Sequence, residues 1–594
     1  MTVFEVWAPD AERVEVEIGP PGAAERHEMR PVPAPPGAPG RTGWWAADVP
    51  GTGHGTDYGF RVDGAGTGRD DDGPLPDPRS RRQPYGVHGR SRVYEHDRFA
   101  WHDGGWRGVP LPGAVLYELH IGTFTPAGTF DAAIERLDHL VDLGVDAVEL
   151  LPVAAFPGRH GWGYEGVHLW AVHEPYGGPD GLKRFVDACH GRGLAVVLDV
   201  VYNHVGPSGN YLDRFGPYFT ATHPTPWGAG LNADEPGSDE VRAFVVEGVL
   251  AWLRDFHLDG LRLDAVHAFA DRRAVHILEE LSAAVAGAAA HLGRAPFLIA
   301  ESDLNDPRLV TAREAGGYGL DAQWSDDFHH ALHAALSGER HGYYCDFGSM
   351  AALAKTLTRV FFHDGTYSTF RGRRHGRPVD VARTPAHRFV GYLFNHDQIG
   401  NRAAGDRLSA ALPLPLLKIG AGLLLTAPYP PMLFMGEEWG ARTPWCFFTD
   451  HIDPEPARAV SEGRLREFAG HGDGDGWSAA PDPQDPATYR RSILDWAEQD
   501  KPGHRELLDW YRALIALRRA HPELTDPRLT EMGVEFDEVA RWLVMTRGRL
   551  RVAANLGADS ARLPDLDGAV LLTTHPSVPP PELPPASFVV LRRA

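Results

Sequence analysis

Acidic side chains recur in this chain where short apolar runs end. Four segments carry them: Asp199-Val-Val-Tyr-Asn-His204, Gly260-Leu-Arg-Leu-Asp264-Ala-Val-His267, Ala300-Glu301-Ser-Asp303 and Phe394-Asn-His-Asp397-Gln-Ile-Gly-Asn401. In the second, Arg262 and Asp264 are two apart, so on an extended strand they share a face while Leu261 and Leu263 take the other. An arginine beside a carboxylate favours its ionised form. In the third, Glu301 closes the apolar run 297–300, and apolar surroundings raise a carboxyl pKa. One carboxyl held ionised and one held protonated is the pair that glycosidic cleavage needs, the first as nucleophile or base and the second as acid on the leaving oxygen. Asp264 suits the ionised role and Glu301 the acid role, with Asp303 as the alternative on the same strand. Taken singly, an Asp after a buried strand is an ordinary helix cap or turn former, as Asn203-His204 and Asn395-His396 could also be. Three carboxylates and two Asn-His pairs, all at strand ends, point instead to one site.

Such a site needs elements that bring distant segments together. From residue 114 onward short apolar runs alternate with helical periods. Strands are expected at 115–120, 147–151, 195–200, 260–263, 297–300, 319–323, 389–394 and 431–434. Helices are expected at 129–143, 180–192, 238–257, 273–291, 307–315, 349–362 and 412–425, with a last one at 504–520. Eightfold alternation predicts a (β/α)8 TIM barrel, the α/β class, with a doubly wound sheet as the structural alternative. The four acidic segments would then sit at the C-terminal strand ends, where barrel active sites form. Long Gly/Pro-rich excursions at 202–237 and 436–500 are placed to grip a substrate.

Before the barrel, residues 1–95 alternate apolar and polar at 3–8, 13–18, 44–49 and 58–63, with Pro/Gly-rich loops at 31–43 and 64–78. That predicts an N-terminal β-sandwich. The barrel is expected over 96–522, and 523–594 returns to short strands, a small C-terminal β domain. A chain of 594 residues is too long for one core.

Lys and Arg number 58 against 80 Asp and Glu, a net charge of −22, which disfavours a nucleic-acid or anionic-membrane partner and suits a neutral substrate. Cys189, Cys345 and Cys446 form no C-x-x-C or Cys/His zinc spacing, which fits a reducing compartment. The first residues lack a basic then apolar leader, and Pro428, Pro430 and Pro431 interrupt the longest apolar stretch. A cytoplasmic protein with no membrane span is expected.

The four segments, in this order, resemble the four sequence regions of the α-amylase family of glycoside hydrolases, over roughly residues 105–520. The resemblance implies a retaining mechanism through a glycosyl-enzyme ester, with Asp264 as nucleophile, Glu301 as acid/base and Asp397 as transition-state stabiliser. It implies Arg262, His204 and His396 as partners of sugar and carboxylates, Asp199 and Asn203 as support, and His267 as a further substrate contact. Tyr164, in Gly158-Arg-His-Gly-Trp-Gly-Tyr-Glu-Gly166, resembles the aromatic that stacks on the sugar at the cleavage point. The N-terminal segment resembles the sandwich that precedes the barrel in branching, debranching and trehalose-releasing members, with a glucan-binding or a packing role. Asn203 matches a calcium-binding position of secreted amylases, but the insertion after the third strand lacks an acidic ligand set. No metal and no cofactor are therefore expected.

Within the family, Gly128-Thr-Phe-Asp131, Asp321-Ala-Gln-Trp-Ser-Asp-Asp-Phe-His-His330, Met435-Gly-Glu-Glu-Trp-Gly440 and Phe447-Phe-Thr-Asp-His451 are similar to the trehalose-releasing branch. That branch hydrolyses the α-1,4 bond next to the terminal trehalose unit of a maltooligosyltrehalose. Its substrate implies an upstream partner, a synthase that isomerises the reducing end of a maltodextrin. Trp324, Asp326, Asp327, Glu438 and Trp439, aromatic and acidic groups after strands six and eight, are expected near the loops that hold trehalose. Phe394 and Trp445-Cys446 depart from the family pattern and bear only on fine specificity. The competing readings are a branching transferase using the same carboxylates, an α-1,6-debranching hydrolase and a non-enzymatic relative. Members of the last kind typically lose a catalytic carboxylate, and none is lost here.

Overall fold

Runs of aliphatic and β-branched residues form eight parallel strands that close on one another. They are β1 (Leu116–Leu119), β2 (Ala147–Leu150), β3 (Ala195–Val200), β4 (Gly260–Leu263), β5 (Phe297–Ala300), β6 (Ala322–Trp324), β7 (Phe389–Tyr392) and β8 (Pro431–Phe434), in sequential order around a closed barrel. The computed structural model describes residues 2–33, 42–63, 73–225, 227–469, 480–564, 566–575 and 582–593. Every barrel-strand residue is buried, because helices cover the outer face and side chains fill the inner one.

Strand alternation sorts the interior into layers. Ala147, Ala195, Val197, Phe297, Ile299, Ala322, Val390 and Met432 join Trp324 and Tyr392 in one apolar cluster. Toward the C-terminal strand ends the same inward phase turns polar. Glu118 lies opposite Glu149, and Asp199 opposite Arg262. Asp264 continues the phase of Gly260 and Arg262, and Glu301 that of Phe297 and Ile299. The apolar plug makes the polar layer above it rigid.

Outer helices lie close to the expected positions at Gly178–His190, Ser238–Asp255, Ile277–Leu292, Met350–Arg359, Leu414–Thr426 and Pro502–Ala520. The first crossover is two short helices, Phe130–Ile134 and Leu137–Leu143, the former capped by Thr129 Oγ1 accepting from the Ala132 N–H. Two expectations fail. Residues 307–315 form two 3₁₀ turns, Pro307–Leu309 and Arg313–Ala315. Residues 318–320 give their N–H groups to carbonyls of Arg308, Thr311 and Leu309, which delays β6 to Ala322. The helix after β6 is Asp326–Ser337, whose Asp- and His-rich sequence hides an apolar face of Phe328, Leu332 and Leu336.

Before the barrel stand two small antiparallel sheets, one ordered Thr2–Trp7, Trp44–Val49, Arg30–Pro31 and the other Glu25–Glu28, Arg13–Ile18, Asp57–Asp63, Ser91–Arg92. Residues 34–41 and 64–72 of the two expected loops lie outside the described residues. This domain packs on the barrel. Trp7 meets Tyr218 edge-on at 5.2 Å, Arg82 pairs with Glu174, and Arg79 covers Trp170 at 4.9 Å. After the barrel comes a five-stranded sheet, Met532–Asp537, Trp542–Arg547, Leu550–Asn555, Ser587–Arg592, Ala569–Thr573, with Phe588 against the helix Leu414–Thr426. Among the described residues no helix is long and apolar enough to cross a membrane.

Gly260 opens β4, the strand that carries Arg262. A Cβ there would meet the Phe297 ring at 2.7 Å and its carbonyl oxygen at 2.9 Å. Gly260→Ala is therefore expected to cost about 1–3 kcal/mol of stability, read from the denaturant midpoint, and an unchanged midpoint would refute the packing described.

Candidate active site

A cleft of about 710 Å³ opens over the C-terminal strand ends, lined by Trp162, Tyr164, His204, Trp227, Asp264, His267, Glu301, Asp303 and Asp397. Below its floor lies Arg262, fully buried. Its Nη1 donates to Asp199 Oδ2 at 2.7 Å and to Asp264 Oδ1 at 2.9 Å, while Nη2 stands 3.7 Å from Glu301 Oε2. The guanidinium lies 4.2 Å from the centre of the Trp324 ring, a cation–π contact that supports it from the apolar plug.

Asp264 accepts a second bond from Asn203 Nδ2, 2.8 Å to Oδ2. Two donors, one cationic, suit a carboxylate that stays ionised. Glu301 is placed differently. Ala265 takes a left-handed conformation, φ 39° and ψ 50°, which turns its N–H onto Glu301 Oε2 at 2.6 Å. Such strain in a non-glycine residue is characteristic of functional sites. Burial pushes the Glu301 carboxyl up to about 8; Arg262 opposes this, and Asp264, Asp326 and Asp397 add to it. At neutral pH the site thus holds one ionised carboxylate and one protonated carboxyl, the division of labour that glycosidic cleavage demands.

Asp397 sits in the first turn of a short helix, His396–Gly400, begun by a capping box between Asn395 and Gln398. The box aims Asp397 into the cleft. His396, one residue back, is buried and lies 3.5 Å from Asp397 Oδ1 through Nε2. The same Nε2 is 2.8 Å from Tyr164 Oη, which donates to Asp199 Oδ2 at 2.5 Å. Burial pushes the Asp199 carboxyl up to about 6, against the pull of Arg262. His204 is held by Asn203 Oδ1 at 2.5 Å and the Tyr164 carbonyl at 3.0 Å, and the Trp227 ring stacks over it at 5.3 Å. Among the described residues no group of three or more His, Cys, Asp or Glu is arranged to hold a metal ion; Asn203 is engaged with Asp264 instead.

Of the residues singled out from sequence, Tyr164, His204, Asp264, His267, Glu301 and Asp397 line the cleft. Arg262, Asp199, Asn203 and His396 stand behind them, each at 2% exposure or less. None of the expected trehalose-side set lines the cleft, although Asp326 stands close enough to Glu301 to raise its pKa. Glu438 is fully buried, accepting from Tyr117 Oη at 3.1 Å and lying 2.8 Å from His139 Nε2. Trp439 is also fully buried, against Trp496 and His139. Both side chains, from the Met435-Gly-Glu-Glu-Trp segment, fill core. Trp324 supports Arg262. Asp327 is buried as well, accepting from Asn305 Nδ2 at 2.9 Å and from the N–H groups of Phe362 and His363 at 2.7 and 2.8 Å, an anchor for that loop. Asp326 accepts from Tyr392 Oη.

Other cleft residues went unread in the sequence: Trp227, Arg464 and Glu467. Trp227 is half exposed beside a hairpin turn in the excursion after β3. Arg464 projects from the helix Pro454–Ala469 and donates to the carbonyls of Gly400 and Arg402, tying that helix to the Asp397 loop. Only the length of the 436–500 excursion hinted at it. The divergent Trp445 backs Trp162 in a 5.4 Å stack, and the Cys446 carbonyl accepts from the Trp162 indole.

Known proteins resemble this chain along its whole length. Residues 1–85 match carbohydrate-binding module 48 (isoamylase N-terminal domain), residues 93–221 the alpha amylase catalytic domain and residues 527–590 a domain of unknown function, DUF3459. Malto-oligosyltrehalose trehalohydrolase of Rhizobium sp. (strain M-11) is 53% identical over 99% of this chain and 97% of its own. That of Mycobacterium tuberculosis (strain ATCC 25618 / H37Rv) is 52% identical over 100% of both chains. A solved Salmonella typhimurium structure assigned as an alpha amylase is 37% identical, with a TM-score of 0.88 over 100% of this chain and 97% of that one.

The raised Glu301 pKa has a consequence for stability. The folded chain keeps on Glu301 a proton that the unfolded chain releases near 4.5. Stability from this group is complete below the unfolded value and is lost as pH rises through about 8. Glu301→Gln removes that loss. The Tm of the variant minus that of the native protein is expected to be larger at pH 8 than at pH 5 in thermal unfolding, and an equal or smaller difference would mean that Glu301 is ionised in the folded state.

Proposed function

The chain belongs to the malto-oligosyltrehalose trehalohydrolase family, a branch of the α-amylase-type glycosidases, and from that premise we propose that it hydrolyses the α-1,4 bond next to the terminal trehalose unit of a maltooligosyltrehalose, releasing trehalose and a maltooligosaccharide. The observation that carries this reading is near full-length identity of about half to such enzymes, together with three cleft carboxyl groups in unlike surroundings.

The mechanism runs in two displacements. In the first, Asp264 attacks the anomeric carbon. The bond to the glycosidic oxygen breaks, and its electron pair takes the proton held by Glu301, so trehalose leaves neutral. Asp264 and the glucan remnant are then joined as an ester, and Glu301 is ionised. In the second, Glu301 takes a proton from water, the oxygen of that water attacks the same carbon, and Asp264 departs as carboxylate. Configuration is retained. Asp397 faces the positive charge that develops at the ring between the two steps, and Tyr164 offers a flat face to the sugar.

The acid stands on the leaving-group side, so trehalose belongs beyond Glu301. His267 and Asp303 line that part of the cleft, and Arg371 Nη2 holds Asp303 Oδ2 at 3.0 Å. These groups replace Glu438 and Trp439 as the proposed trehalose contacts. A synthase that isomerises the reducing end of a maltodextrin would supply the substrate, and we place the pair in the cytoplasm.

Purified protein given maltooligosyltrehalose is expected to release trehalose and to act weakly on a plain maltooligosaccharide of equal length, with product chromatography as the readout. Asp264→Asn is expected to lower kcat by on the order of 10⁴-fold, the scale seen when one member of a catalytic triad is removed. Equal cleavage of both substrates, or transfer to another glucan without trehalose, would overturn the reading.

A further inference from the structure

Beneath the cleft lies a pair of carboxyl groups that the two displacements leave unused. Glu118 on β1 and Glu149 on β2 are neighbours in register, each 1% exposed. Both oxygens of Glu149 lack a hydrogen-bond partner among the described residues. Burial pushes its carboxyl far up, with the charges of Glu118 and Asp199 adding to the effect, so Glu149 keeps its proton. Glu118 is engaged on both oxygens. Its Oε1 is 2.6 Å from His396 Nδ1, and its Oε2 accepts the His396 backbone N–H at 3.1 Å.

His396 therefore has an acceptor at each ring nitrogen: Glu118 at Nδ1, Tyr164 Oη and Asp397 at Nε2. The Tyr164 hydroxyl already gives its proton to Asp199, so it receives one from His396. An imidazole can donate from both nitrogens only as the cation.

We propose that Glu118 is a positioning residue for the reaction: it grips His396 by ring and backbone and keeps it an imidazolium, and His396 in turn fixes Asp397 and Tyr164 against the sugar. The inference rests on the reading of Asp397 as transition-state stabiliser. The charged and titratable groups around His396 support it. Burial alone would lower the His396 pKa, yet Asp397 and Glu118 together push it up to about 9, while Arg262 opposes them. Glu149 is neutral, and burial lowers His120, on the other side, to about 3, so it is neutral too. Tyr164, raised far above its ordinary value by burial and Asp199, is an uncharged acceptor. Glu118 and Asp397 are thus the carboxylates in reach, and only Glu118 lies away from the substrate.

Glu118→Gln keeps the shape and removes the charge. Two readouts test it on the full-length protein. The first is the titration of His396 in histidine-labelled protein by NMR, assigned with His396→Gln; it needs no substrate and so stands apart from the question of which glucan is cleaved. A fall of about one pH unit or more is expected. The second is the pH profile of kcat/KM on maltooligosyltrehalose: Glu301 sets the native alkaline limb near 8, and a His396 that titrates in the same range is expected to add a second ionisation there, steepening the limb and moving it slightly acidward. A merely structural role would lower activity at every pH and leave the limb in place. Glu118→Asp, which keeps the charge, is expected to restore the limb even where kcat stays low, and it serves should Glu118→Gln fail to fold. An unmoved His396 titration and an unmoved limb in Glu118→Gln, or an acidward limb in Glu118→Asp, would overturn the proposal. Absence of native activity on maltooligosyltrehalose would count against the proposed substrate and leave the titration result standing.

Discussion

A guanidinium with no exposure to water organises this molecule's chemistry. Burying a charge costs several kcal/mol unless partners repay it, and Arg262 is repaid by Asp199 and Asp264 at hydrogen-bond distance. Coulomb attraction falls with distance, and the second nitrogen stands 3.7 Å from Glu301 without a hydrogen bond. At Glu301 burial therefore outweighs the arginine, and the proton stays. The difference between a nucleophile and an acid follows from where two carboxyl groups stand around one fixed cation.

The barrel makes that placement possible. Parallel strands in register put Asp199 beside Arg262 and Glu118 beside Glu149, and the inward phase carries Asp264 and Glu301 to the rim. The apolar plug below, with Trp324 under the guanidinium, blocks water from reaching the cation from behind. A second cation, His396, balances Glu118 on the opposite wall. The polar layer is thus a set of opposed charges on rigid strands, and a shift of β3 against β4 would part Asp199 from Arg262.

Much of this was legible in the sequence because it is local. Each strand-end segment joins an apolar run to a polar tip, and alternation alone put Arg262 and Asp264 on one face. The helix expected from 129 likewise begins at a local cap, Thr129 Oγ1 accepting from the Ala132 N–H. What was misread depended on long-range packing. Glu438 and Trp439 look like loop residues after β8, but Tyr117 and His139, some 300 positions earlier in the chain, draw them into the core. Asp326 and Asp327 gave no helical signal because the apolar face of their helix, Phe328, Leu332 and Leu336, is interleaved with Asp and His. Glu118 and Glu149 lie within strands the sequence predicts, but only barrel closure makes them a buried pair. Arg464 reaches the Asp397 loop from an insertion that no periodicity announces.

The central claim is that Glu301 is protonated and Asp264 ionised in the resting protein at neutral pH. Infrared difference spectroscopy of the carboxyl stretch tests it without substrate, by comparing the native protein with Glu301→Gln and with Asp264→Asn at pH 7. A protonated-carboxyl band that is lost in Glu301→Gln and kept in Asp264→Asn is the result expected. A band lost in Asp264→Asn, or no band lost in Glu301→Gln, would contradict the assignment of charges from which the mechanism is built.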